Sequence, residues 1–69
     1  MKYDATAIKR ARMIKGWSQD YLALLSRLTQ ATVSNIEKGK TNNPTNVKRV
    51  ADALGLRMEK LIIEDSTAA

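Results

Sequence analysis

The chain has 69 residues, enough for one modest hydrophobic core, so we expect a single domain over residues 1–69 with an ordered core of about residues 4–63 and a tail of residues 64–69. It contains no Cys and no His, which excludes disulfides and removes the commonest metal ligand and general acid–base, so we expect no metal, no cofactor and no enzyme activity. Its net charge is +5, and residues 1–50 hold ten Lys and Arg against three Asp and Glu. On charge alone, a polyanionic partner and a merely solvated surface are equally favoured.

Apolar residues recur at helical spacing, and no sustained alternation indicates a strand. The first predicted helix covers about residues 5–15, with Asp4 or Thr6 as its N-cap, and it ends at Gly16. Its apolar stripe consists of Ala7, Ile8, Ala11 and Ile14.

Two short helices with the same opening pattern follow. Ser18 is the N-cap of the first, and Thr29, eleven residues later, is the N-cap of the second, which ends at Gly39. An apolar residue before each cap and one in the helix form a hydrophobic staple, as Trp17 with Leu22 and Leu28 with Val33. The sequence therefore predicts a helix, a tight turn and a second helix, which is the helix-turn-helix arrangement.

A polar loop, KTNNPTN, separates this pair from a fourth helix with Asn46 as its predicted cap. Its apolar positions are the most regular in the chain, at Val47, Val50, Ala51 and Leu54, and Gly55 ends it. A fifth helix is predicted over about residues 58–63, with Met58, Leu61 and Ile62 apolar. The expected fold is all-α, a compact five-helix bundle whose core comprises Ile8, Ala11, Leu22, Ala23, Val33, Ile36, Val47, Val50, Ala51, Leu54 and Leu61.

The segment WSQDYLALLSRLTQATVSNIEKGK resembles the Cro/CI-type (XRE-like) helix-turn-helix family, in particular the lambdoid-phage repressor DNA-binding domains and Cro proteins. The matching positions are Ser18, Gln19, Leu22, Ala23, Thr29, Gln30, Thr32, Val33, Ser34, Ile36, Glu37, Gly39 and Lys40. GKTNNP and VKRVADALGL extend the resemblance over about residues 4–63. Two positions depart from it, because Arg27 stands where the turn usually has Gly, and Arg57 where a Ser or Asp often caps the fifth helix.

The resemblance implies a transcriptional regulator that binds double-stranded DNA with its third helix in the major groove. It implies base contacts by Gln30, Ala31, Thr32, Ser34 and Asn35. Phosphate contacts are expected from Arg12, Ser18, Gln19, Lys38, Lys40, Asn42, Thr45 and Asn46. It further implies a structural ion pair between Arg12 and Glu37, and a homodimer, formed in solution or only on DNA, through Leu56, Met58 and Ile62.

The absence of charge between Arg27 and Glu37 in a basic chain agrees with this division of roles. A Gln side chain at the start of the third helix can pair with adenine through two hydrogen bonds, whereas Lys and Arg contact phosphates without reading sequence. Gln19 and Gln30 each open a helix, so we also expect Gln19 to touch Gln30 and fix its orientation.

The same fold serves antitoxins and restriction–modification controllers, so these circuits remain open alongside a repressor that binds a palindromic operator. A rival from another class is a protein-interaction module that has lost DNA binding, although the neutral polar segment QATVSN does not favour it. No apolar run approaches the roughly 20 residues of a membrane helix, and no N-terminal apolar signal is present. We therefore expect a cytoplasmic, nucleoid-associated protein of a bacterial or phage-infected cell, with no membrane contact and no small-molecule substrate.

Overall fold

The structure, a computed structural model, describes residues 2–41 and 43–63. It contains five helices, α1 (Ala5–Ile14), α2 (Gln19–Ser26), α3 (Gln30–Glu37), α4 (Pro44–Leu54) and α5 (Met58–Leu61). The predicted all-α fold is confirmed, and the extended backbone in these two ranges pairs only at an isolated antiparallel bridge between Tyr3 and Ile62. None of the five helices is long and apolar enough to cross a membrane.

Helix α1 has the predicted start but a different buried face. The Asp4 carboxylate accepts a hydrogen bond from the Ala7 N–H at 3.0 Å, which makes Asp4, and not Thr6, the N-cap. Ile8 is buried, whereas Ile14, which we assigned to the apolar stripe, is 78% exposed. That assignment was wrong because six residues beyond Ile8 the helix has turned by about 240° away from the core.

Helices α2 and α3 form the predicted helix-turn-helix. The Ser18 hydroxyl accepts from the Tyr21 N–H at 3.0 Å, and the Thr29 hydroxyl accepts from the Thr32 N–H at 3.1 Å. Both predicted caps are therefore present. The staple residues Trp17 and Leu28 are half-buried against the core, while Leu22 and Val33 are fully enclosed in it.

The start of α4 differs from the prediction. Asn43, and not Asn46, is the N-cap, and its side-chain oxygen accepts from the N–H groups of Thr45 and Asn46 at 3.0 and 3.2 Å. Pro44 takes the first helical position, where its fixed φ suits the helix and its missing N–H costs nothing. The prediction was wrong because it treated this proline as part of the loop.

Helix α5 is shorter than predicted. It ends at Leu61, because Ile62 is extended and pairs with Tyr3. Two backbone hydrogen bonds flank the bridge, from the Asp4 N–H to the Leu61 oxygen at 2.8 Å and from the Ile63 N–H to the Lys2 oxygen at 2.9 Å. Arg57 precedes α5 and makes no side-chain capping hydrogen bond, in line with the departure seen in the sequence.

The core lies between α1, the α2–α3 pair and α4, with α2 packed against both α3 and α4. Its buried apolar members are Tyr3, Ile8, Leu22, Ala23, Val33, Ile36, Val47, Val50, Ala51, Leu54 and Leu61. Tyr3 is the member that the sequence did not reveal, and Ala11 is only half-buried. The Tyr3 hydroxyl donates to the Ile36 carbonyl oxygen at 2.7 Å, and burial raises the pKa of Tyr3 above its usual value.

A buried ion pair joins α1 to the end of α3. The Arg12 Nε donates to Glu37 Oε2 at 2.6 Å, and Nη2 donates to Oε1 at 3.1 Å. The third guanidinium nitrogen, Nη1, donates to the Trp17 carbonyl oxygen at 2.7 Å. Only 12% of the Arg12 side chain and 3% of the Glu37 side chain are exposed. Removing either partner would therefore leave an unpaired buried charge, which is strongly destabilising.

The turn between α2 and α3 places Arg27 in the left-handed region, with φ 60° and ψ 40°. We expect Arg27→Gly to raise the free energy of unfolding, by up to about 1 kcal/mol, because glycine adopts this backbone without steric strain. Denaturant unfolding measures the change. Gly55→Ala is the converse control, since Gly55 has φ 74° in open space and should lose stability. A loss of stability in Arg27→Gly would contradict the strain.

The ion pair predicts non-additive stability losses. Arg12→Ala and Glu37→Ala should each lower the free energy of unfolding by about 3 kcal/mol, because each leaves a buried charge unpaired. The double variant should lose clearly less than the sum, as measured by thermal or denaturant unfolding.

The exposed pair of Lys48 and Asp52 is the control for that cycle. It has a similar distance, 2.9 Å, but both side chains are 62% exposed. Its coupling should stay below about 1 kcal/mol. Strict additivity at Arg12 and Glu37 would contradict the energetic role of the buried pair.

Candidate nucleic-acid interface

One face of α3 is open to solvent and carries no charge. Gln30, Ala31 and Asn35 are exposed, and Ser34 is half-exposed between them, while Val33 and Ile36 point into the core. Thr32 lies at the edge of this face, and its hydroxyl shares a 2.8 Å hydrogen bond with the hydroxyl of Thr29. Four of the five residues predicted to contact bases therefore share one surface, and the fifth is held by the cap.

A chain of hydrogen bonds connects the buried ion pair to the start of this face. The Gln19 Nε2 donates to Glu37 Oε1 at 3.1 Å. The Gln30 Nε2 donates in turn to Gln19 Oε1 at 2.6 Å. The expected contact between the two glutamines is present, and its link to Glu37 is a feature that the sequence did not reveal.

This series of hydrogen bonds leaves Gln30 with a defined set of free hydrogen-bonding groups. A carboxamide has two N–H donors and one oxygen acceptor, and one of the donors is used by Gln19. The remaining N–H and the oxygen match N7 and N6 on the major-groove edge of adenine. Gln30 can therefore bind Gln19 and an adenine at the same time.

The start of α2 lies beside Gln30, because Gln19 is its first residue. The first N–H groups of a helix have no partners within the helix and favour anions. The Ser18 hydroxyl oxygen accepts from the Tyr21 N–H, so its own O–H remains available to an anion beside the backbone N–H groups of the first turn. This arrangement suits a phosphate next to the uncharged face of α3.

Basic side chains follow α3 directly. Lys38 is its C-terminal cap residue, and both Lys38 and Lys40 are exposed. Arg12 is different, because all three of its guanidinium nitrogens already donate to Glu37 or Trp17. Of the five N–H groups of a guanidinium, two remain for a further acceptor. The two lysines are thus the more accessible cations near α3.

The start of α4 offers few backbone donors. The N–H groups of Thr45 and Asn46 are bound by the Asn43 side chain, the Asn43 N–H donates to the Thr41 hydroxyl, and Pro44 has none. Phosphate contacts predicted for Thr45 and Asn46 must therefore come from their side chains. Asn42, the other residue predicted in this loop, lies outside the described residues.

A second cluster near the start of α2 was not predicted. The Lys15 Nζ lies 5.2 Å from the centre of the Trp17 ring, within cation–π range. Trp17 also meets Tyr21 edge-on, with ring centres 5.1 Å apart. The sequence indicated the staple role of Trp17 and gave no sign of its contact with Lys15.

The residues predicted to form a dimer interface lie around α5. Leu56 and Met58 are half-buried against the core of the same chain, and Ile62 is half-buried beside the bridge to Tyr3. Ile63 next to them is 51% exposed. Over residues 2–41 and 43–63, no group of three or more His, Cys, Asp and Glu side chains could hold a metal ion.

Comparison with known proteins identifies the family. A family model described as helix-turn-helix matches residues 8–61, and no curated protein matches the chain. Among solved structures, the chain is similar to the restriction-modification controller protein C.AhdI from Aeromonas hydrophila, with 32% sequence identity and a TM-score of 0.74. That match covers 84% of this chain and 89% of C.AhdI. The fold, the matched residues and this similarity together show that the chain belongs to the Cro/CI-type (XRE-like) helix-turn-helix family of DNA-binding transcription regulators.

Proposed function

We propose that this protein is a sequence-specific transcriptional regulator that represses transcription by binding a palindromic operator as a dimer, with α3 in the major groove. The observation that carries this proposal is the exposed, uncharged face of α3, which begins with Gln30 held by Gln19. Hydrogen-bonding groups held in place can discriminate base edges, whereas a freely rotating side chain loses entropy on binding.

The other residues of this face supply complementary groups. Ala31 offers a methyl group for the methyl of thymine, and Asn35, about one and a half turns beyond Gln30, can reach a further base edge. Ser34 can bond to a base or a phosphate. The Thr32 hydroxyl already shares a hydrogen bond with the Thr29 hydroxyl, so a contact with DNA requires it to form a second hydrogen bond.

Phosphate contacts surround this face in the proposal. The backbone at the start of α2, at Ser18 and Gln19, meets one phosphate, and Lys38 and Lys40 meet others beyond the end of α3. Arg12 adds its two remaining N–H groups, and the side chains of Thr45 and Asn46 act from α4. Such contacts fix position and orientation without selecting sequence.

A dimer explains how so small a reading unit reaches useful affinity. Two copies bind half-sites about 34 Å apart, so their contacts with DNA add together. The proposed interface uses Leu56, Met58 and Ile62, with the exposed Ile63 beside them. The last 19 residues of the sequence carry more acidic than basic side chains, which suits a surface away from DNA.

One observation favours a second regulatory role. The similar structure is a restriction-modification controller, so we also propose that role as an alternative to phage repression. An antitoxin would use the same DNA-binding face. All three would act in the cytoplasm of a bacterial or phage-infected cell, where the DNA is.

A binding selection from random duplex DNA tests the proposal. The expected result is a palindromic consensus with half-sites one helical turn apart, which supports sequence specificity and dimeric binding together. Failure to enrich any sequence would overturn the proposal and favour a protein-interaction module.

Gln30→Ala is expected to change base preference. The loss should be about 1–3 kcal/mol on the selected site and much smaller on random DNA, because one bidentate base contact disappears. Competition binding on both DNAs measures it. Thr6→Ala, an exposed change on α1, is the control and should affect neither. Equal losses on specific and random DNA would contradict base reading by Gln30.

Lys40→Ala is expected to weaken binding to every sequence alike. It should lower the slope of log affinity against log salt by about 1, because one phosphate contact is lost. Titrations at several salt concentrations measure the slope. Lys48→Ala removes an equal charge from an exposed lysine of α4 that pairs with Asp52, and it should leave the slope nearly unchanged. An unchanged slope in Lys40→Ala would refute the phosphate contact.

A further inference from the structure

We infer that Glu37 is a positioning residue for base recognition, and that this buried carboxylate sets the direction in which the Gln30 amide faces the DNA. The inference rests on the proposed function, since it concerns the base that Gln30 reads. Glu37 itself is buried at the end of α3 and acts on Gln30 only through Gln19.

The first step is that a carboxylate can only accept hydrogen bonds. An amide group that meets Glu37 must turn its NH₂ toward it, as Gln19 does at 3.1 Å. The amide oxygen of Gln19 then faces the opposite way, toward Gln30. Because that oxygen is an acceptor, Gln30 must present its own NH₂, as it does at 2.6 Å.

The second step is that Glu37 itself has no freedom to turn. Both of its oxygens accept from Arg12, and only 3% of its side chain is exposed. The guanidinium is fixed in turn by the Trp17 carbonyl oxygen at 2.7 Å. The direction of the whole chain of hydrogen bonds is therefore set inside the protein, before DNA arrives.

The third step concerns what Gln30 offers to the groove. In the observed direction, its oxygen and one N–H remain free, with the oxygen on the side away from Gln19. In the reverse direction, the oxygen would be bound by Gln19 and the NH₂ would take its place. Donor and acceptor would then exchange positions against a base edge, and the match to adenine would be lost.

Glu37→Gln changes this direction while keeping the size of the side chain. The shorter bond from Arg12 Nε holds the new amide oxygen at the Oε2 position. Its NH₂ then takes the Oε1 position, where it loses the bond from Arg12 Nη2 and donates to Gln19. Gln19 then accepts from residue 37 and donates to Gln30, so the chain reverses. Base preference should change even though no group that touches DNA has been altered.

The test compares variants in competition binding on sites that differ only at the base pair read by Gln30. Glu37→Gln should reduce the preference there by about tenfold, the size expected for one bidentate contact, and leave preferences at other positions unchanged. Gln19→Leu removes both hydrogen bonds of Gln19 but leaves the Arg12–Glu37 ion pair, and it should reduce the same preference. If Glu37→Gln fails to fold, an unchanged preference in Gln19→Leu overturns the positioning role, because Glu37 reaches Gln30 only through Gln19.

Two controls separate direction from charge and stability. Asp52→Asn makes the same carboxylate-to-amide change in the exposed pair with Lys48 and should not alter preference. Val50→Ala destabilises the core from a fully buried position of α4 and should also leave preference intact.

The outcomes also separate this inference from the proposed function. If Gln30→Ala alters preference while folded Glu37→Gln and Gln19→Leu do not, the positioning role is overturned and base reading stands. If Gln30→Ala alters nothing, base reading by Gln30 falls and the inference falls with it. In the DNA-free protein, Glu37→Gln should also move the side-chain amide NMR signals of Gln30, and unchanged signals would overturn the positioning role.

Discussion

The buried ion pair between Arg12 and Glu37 is the constraint on which the rest of the site depends. Charges removed from water must be paired and hydrogen-bonded, and here the pair meets that requirement with three hydrogen bonds from one guanidinium. It fixes the end of α3 to α1 and to the chain segment before α2. The helix that we propose to face DNA is thus oriented by an interaction on its buried side.

Part of the site could be predicted, because its chemistry follows from residue type. The neutral face of α3 and the cations after it were visible in the sequence, and the Arg12–Glu37 pair followed from the resemblance. The hydrogen bond from Gln19 to Glu37 could not be predicted, since it depends on how close in space the start of α2 lies to the end of α3. The loss of backbone donors at α4 also escaped notice, because it follows from a cap assigned three residues too late.

The fold was predictable where local rules act alone. Ser18 and Thr29 cap their helices as expected, because capping depends on residues only three positions apart. The burial of Tyr3 was not revealed by the sequence because it depends on packing between distant segments, namely the bridge to Ile62 and the core. Asn43 was missed because Pro44 was assigned to the loop, although the fixed φ of proline suits the first helical position.

The bridge between Tyr3 and Ile62 has a mechanical consequence. The first and last described segments run antiparallel, so their outer ends lie side by side and a force pulling these ends apart loads the bridge before any helix. The two flanking hydrogen bonds would break one after the other rather than together. Under tension from its ends, the domain should therefore open at low force, and it should peel from Lys2 and Ile63 inward while the helix-turn-helix is still folded.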